Sequence, residues 1–147
     1  MNGLEFIIKN EYNDWIYQIL RNLSFENYIW KIDEDDVYYN NDFLFDKDFY
    51  NNDEFFRIIK GKNYYTVFCN IQLYSDIKDC ITIDVPTDFI NSKCELILLI
   101  TDNIFVEVYS KNEDNLNMIK DNLKLIGIKN VKKKNIMDRC TMYARGE

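Results

Sequence analysis

The run over residues 64–74 sets Val67, Cys69, Ile71 and Leu73 in alternation with Thr66, Phe68, Asn70 and Gln72. A period of two sends each set to one face of an extended strand, so a chain with this run must build a sheet that buries at least one face. Elsewhere the period changes. Tyr12, Trp15, Ile16, Ile19, Leu20 and Leu23 recur at helical spacing and lay an apolar stripe along about three turns of helix. Carrying both patterns, the chain needs helices packed on a sheet.

The remaining segments extend that reading. Residues 4–8 read as a first strand, with Asn10 as a helix cap and Glu11 in the first turn, where an anion suits the helix dipole. Residues 28–40 read as two strands joined by an acidic turn at Asp33, Glu34, Asp35 and Asp36. An acidic stretch over 41–61 becomes helical, burying Phe55, Phe56, Ile58 and Ile59 and stopping at Gly61. Pro86 opens a short helix, because a proline at the first helical position forfeits no hydrogen bond. Residues 94–101 and 104–109 form a hairpin around Asp102 and Asn103. Asn112 caps a helix with acids at its start, Lys120 and Lys124 nearer its end and Gly127 beyond it; Leu116, Ile119, Leu123 and Ile126 share one face. Residues 128–131 and 139–143 are expected as closing strands around a turn at Lys132, Lys133 and Lys134. The fold class is therefore α+β, a mixed or mainly antiparallel sheet of about six to eight strands with three main helices on one face. No proline-rich or serine-rich linker divides the chain, so residues 1–147 are read as a single domain.

Composition excludes several functions. With 47% apolar and 16% aromatic residues but four Gly and one Pro, the chain is neither collagenous nor linker-like. It has no histidine, which removes Ser-His and Cys-His nucleophiles and histidine metal sites together. No glycine-rich phosphate loop is present. Cys69, Cys80, Cys94 and Cys140 lie 11, 14 and 46 positions apart, so none forms the close pair that zinc or dithiol chemistry favours; reduced, mostly buried thiols are expected. Glu5, Lys9, Glu11, Asp14 and Arg21 interrupt the first 25 residues, so no secretory or membrane-spanning run of roughly 20 apolar residues fits there and the chain is expected in the cytosol.

Charge is unevenly placed. Residues 1–110 carry 9 Lys and Arg against 20 Asp and Glu, a balance of -11, whereas residues 111–147 carry 9 against 5, a balance of +4. Asp33, Glu34, Asp35, Asp36, Asp42, Asp46, Asp48, Asp53 and Glu54 form the densest acidic region and are the candidate partner-binding residues. They do not follow the fixed spacing of a calcium loop, so no metal or cofactor is assigned to them. The three consecutive lysines are read as protection for a sheet edge; the acidic remainder would repel a nucleic acid. Tyrosine pairs at Tyr38-Tyr39 and Tyr64-Tyr65 are either core residues or contact anchors.

The blocks Asn10-Glu11-Tyr12, Tyr64 to Phe68 with Asn70-Ile71-Gln72, Asp88 to Ser92 before Cys94-Glu95-Leu96, and Phe105 to Lys111 resemble a family of small proteins of unknown function from low-G+C Gram-positive bacteria. The resemblance implies origin and one-domain architecture, and is weakest over the acidic stretch from Asp33 to Glu54. The expected function is non-enzymatic: a protein-binding module, most concretely an acidic inhibitor of the immunity or anti-defence kind that masks a basic partner surface. The alternatives are a small-ligand-binding or sensing domain and, behind it, a carboxylate enzyme using a divalent ion.

Overall fold

The computed structural model describes residues 2–23 and 25–145. Its elements run β1 (Asn2–Ile7), α1 (Trp15–Leu20), β2 (Ile29–Tyr39), β3 (Asp42–Phe43), β4 (Phe49–Asn51), α2 (Asn52–Ile59), β5 (Tyr65–Tyr74), α3 (Pro86–Asn91), β6 (Leu96–Thr101), β7 (Phe105–Ser110), α4 (Glu113–Leu125) and β8 (Lys132–Asn135). The strands form one antiparallel sheet in the order β3-β2-β5-β6-β7-β1-β8, with β4 also pairing β2. The α+β expectation holds, with every pairing antiparallel.

Helices α1, α2 and α4 pack on one face. Trp15, Ile16, Ile19, Phe55, Ile59, Leu116, Ile119 and Leu123 meet Leu4, Phe6, Trp30, Ile71, Leu98 and Val108 there. The Trp30 and Phe55 rings stack 4.3 Å apart, and Asn122 donates to the carbonyls of Ile19 and Arg21, tying α4 to the end of α1. The opposite face is covered too. Short α3 and the segment 136–144 bury Phe89, Ile136, Met142 and Ala144 against Tyr74, Ile97, Leu99 and Tyr109. Residues 70–74 of β5 are consequently buried on both sides.

Several sequence expectations need correction. The 28–40 region is one eleven-residue strand and not two; its four acids lie within β2, bulged at Ile32/Glu34 and Asp36/Val37. The extra residues of the bulges let the acids stay in the ladder while Trp30 and Val37 both face the helices. Helix α1 is shorter than the apolar stripe, because Asn13 bridges to Tyr64 before it and Asn22 turns to φ 69° after it. Tyr12 is left on the surface, 64% exposed. The lysine triplet is not a turn but most of edge strand β8, and residues 128–131 and 139–143 are not strands. The protective role read for those lysines fits their edge position. The α4 reading holds to its ends: Asn112 accepts from the Asp114 N–H, and Gly127 at φ 75° ends the helix, its N–H donating to the Lys124 carbonyl. Among the described residues no helix is long and apolar enough to cross a membrane.

Candidate functional site: an acidic, aromatic sheet border

The segment after β2 turns back along it. Asn40 and Asn41, at φ 52° and 65°, make the two-residue hairpin to β3, a conformation that asparagine tolerates. Leu44 N–H then donates to the Val37 carbonyl and Ile32 N–H to the Asp48 carbonyl, so residues 42–51 line the outer edge of β2 throughout. Asp42, Asp46 and Asp48 are exposed along this border, and Asp53 is exposed in the first turn of α2.

The nine candidate acids divide by what they touch. Glu34 faces the second side of the sheet, where its carboxylate accepts from the Ala144 N–H at 2.6 Å and the Arg145 N–H at 3.0 Å. Asp36 meets the Arg145 guanidinium at 2.7 Å. These two acids hold the chain's own C-terminal segment. Glu54 completes the α2 capping box with Asn51 and pairs with Lys47 at 2.9 Å, which holds its carboxyl below the usual range. Asp46 accepts from the Tyr50 hydroxyl at 2.6 Å, a bond that lowers its own pKa; burial, with that carboxylate next to it, pushes the phenol up to about 12. Asp42 accepts from the Phe43 N–H. Asp33 lies 3.8 Å from Lys31, yet burial, with Asp84 and Asp48 nearby, leaves its carboxyl raised. Asp35 points to the helix side opposite Cys69, and burial and Asp36 push it up to about 7. Among the described residues no three carboxylates or thiols converge in a way that could hold a metal ion.

At the hairpin end of the border, Tyr12, Tyr38, Tyr65, Asn40, Asn41 and Asn63 line an open hollow of about 570 Å³. Tyr12 and Tyr65 have ring centroids 5.0 Å apart, and Tyr38 lies 5.2 Å from Phe43, which is 53% exposed. Each tyrosine pair splits. Tyr64 is fully buried, donating to the Ile59 carbonyl and accepting from the N–H groups of Ile16 and Tyr17, and Tyr39 packs against the core. Tyr38 and Tyr65 stand at the rim. Sequence reasoning missed Tyr12, Phe43 and the asparagines; the Asn40-Asn41 dipeptide between aromatic residues was the available hairpin signal.

All four cysteines are free. Cys69 and Cys94 are buried, and burial raises both thiols, that of Cys94 to about 12, which suits inert core residues. Cys80 is half-buried, and Cys140 is exposed, in a segment that does not form the closing strand expected over 139–143.

A family whose description reads "Protein of unknown function (DUF2691)" matches residues 1–141. The "Uncharacterized protein YncE" of Bacillus subtilis (strain 168) is 30% identical over 118 residues, covering 76% of this chain and 77% of that protein. No solved structure matches.

Proposed function

The chain belongs to the family described as "Protein of unknown function (DUF2691)", and from that premise we propose that it is a non-enzymatic protein-binding module that docks its β2–β3 border onto a basic partner. The observation that supports this reading is the coincidence, on one border, of exposed aromatic rings with exposed carboxylates. Tyr12, Tyr38 and Phe43 offer rigid apolar area at the hairpin end, and Asp42 and Asp48 extend a negative flank from it. Aromatic residues supply much of the binding energy at protein contacts, whereas a charged flank speeds encounter and selects partners of opposite sign. The -11 balance of residues 1–110 acts in the same direction. An inhibitor that covers a basic active site or nucleic-acid groove is the most concrete form of the proposal.

Affinity capture from a native lysate, followed by binding kinetics with the protein recovered, tests it. A basic protein is expected, with an association rate that falls as salt rises. Tyr38→Ala together with Tyr12→Ala should weaken binding by roughly 30-fold or more, chiefly through dissociation. Asp42→Asn with Asp48→Asn should slow association alone. A partner bound equally well by all variants, or salt-insensitive association, rejects the border as the docking surface.

A further inference from the structure

A second cavity, of about 560 Å³, lies at the opposite sheet border, lined by residues of β1 and β7 and by Lys129, Asn130 and Lys132. It exists because β8 is too short. Pairing between β1 and β8 runs from Asn2↔Asn135 to Glu5↔Lys132 and stops; Asn130, at φ 60°, bends the incoming chain away before it can pair with Ile7. Ile8 N–H donates to the Ile104 carbonyl, so by strand alternation the N–H and C=O of Ile7 are directed to the β8 side, one step past the last pair. The side chains of Ile7 and Phe105, cross-strand partners that are 54% and 49% exposed, make an apolar floor.

We propose that this notch binds a small carboxylate with an apolar body, the body on Ile7 and Phe105 and the carboxylate toward Lys129, Lys132 and the Ile7 N–H. The sign of the ligand follows from which charges are already satisfied. Glu107 accepts from the Tyr109 hydroxyl and pairs with Arg139, and Glu5 lies 3.5 Å from Lys134. Lys129 and Lys132 have no ion-pair partner among the described residues, so the charge left over in the notch is positive. The size falls within the range of small-molecule sites. A peptide strand does not fit as well, because β8 already occupies the edge of β1 from Asn2 to Glu5 and leaves no length for a ladder.

Titrating the isotope-labelled protein with 3-phenylpropanoate, 3-phenylpropanol and 3-phenylpropylammonium, followed by amide shifts, decides the matter. The carboxylate should give saturable shifts at Ile7, Phe105 and Asn130, with the alcohol roughly tenfold weaker and the ammonium weaker still. In Lys129→Gln with Lys132→Gln, both surface changes, the preference for the carboxylate over the alcohol should vanish while the spectrum stays that of the folded chain. Equal binding of all three probes, shifts centred elsewhere, or no saturable shift overturns the proposal. Since the notch and the β3 border lie at opposite ends of the sheet, neither result bears on the protein-docking reading.

Discussion

Asp35 stands in the acid run with a carboxyl that its surroundings do not favour as an anion. Its Oδ1 is buried and has no hydrogen-bond partner among the described residues, and Asp36 and Asp48 add like charge. Burial is the larger cause, and together they push the group up to about 7; the Val37 N–H offsets them only in part. Between the unfolded value near 3.9 and about 7 the folded protein holds a proton that the unfolded chain has released. Stability attributable to Asp35 is therefore fully present below about pH 4 and lost as pH rises through 7. Asp35→Asn, which keeps the shape and removes the charge, should stabilise the protein by about 1–2 kcal/mol at pH 8, after allowance for the exposed half of the group, and change little at pH 4. Urea unfolding of both proteins across that range measures it; a gain independent of pH would mean the effect is not electrostatic. Gly3 shows a different residue-scale constraint. A Cβ there would come within 2.2 Å of the Tyr109 ring, which crosses β1 at that point.

At the scale of elements, what could be read in advance is what local chemistry decides. The α4 helix carries its cap, its charges and its stop in consecutive residues, and the β6–β7 hairpin carries its left-handed turn at Asp102 and Asn103. The acid run of β2 was illegible for the opposite reason. Four consecutive carboxylates lower strand propensity, and two of them are made tolerable in the strand by partners more than a hundred positions away: Arg145 for Asp36, and the Ala144 and Arg145 N–H groups for Glu34. The same distance explains why the second face, covered by residues 136–144, went unseen. Asn70 donates to the Met142 carbonyl, with Gln72 and Tyr74 continuing a buried polar file along β5, and no sequence period marks such a file as core. Glu34 is thus a fastener for its own chain's cover. Glu34→Ala should cost about 1–3 kcal/mol and speed amide exchange at Ala144 and Arg145 well before exchange in β5 or β6 changes. Hydrogen exchange resolved by residue checks this; unaltered protection of those two amides would assign the segment's anchoring to Arg139 and Asn70 alone.

For the whole molecule the decisive feature is that two cores share the same strands. In β6, Leu96, Leu98 and Ile100 face the helices while Ile97 and Leu99 face the α3 side, and β7 divides in the same way between Val108 and Tyr109. A sheet cannot lose the packing on one side of these strands without weakening their hold on the other, so the two cores should unfold as one cooperative unit. Phe89 provides the probe, since it is fully buried in the second core, whereas Trp15 and Trp30 report from the first. Phe89→Ala should remove about 3–5 kcal/mol, lowering the thermal midpoint by roughly 10 °C. The tryptophan signal, across the sheet from the deletion, should move by the same amount as the far-ultraviolet circular dichroism. Were the tryptophan midpoint to stay in place while the other fell, the α3 side would be a separately melting cover. The strands would then owe their stability to the helical face alone.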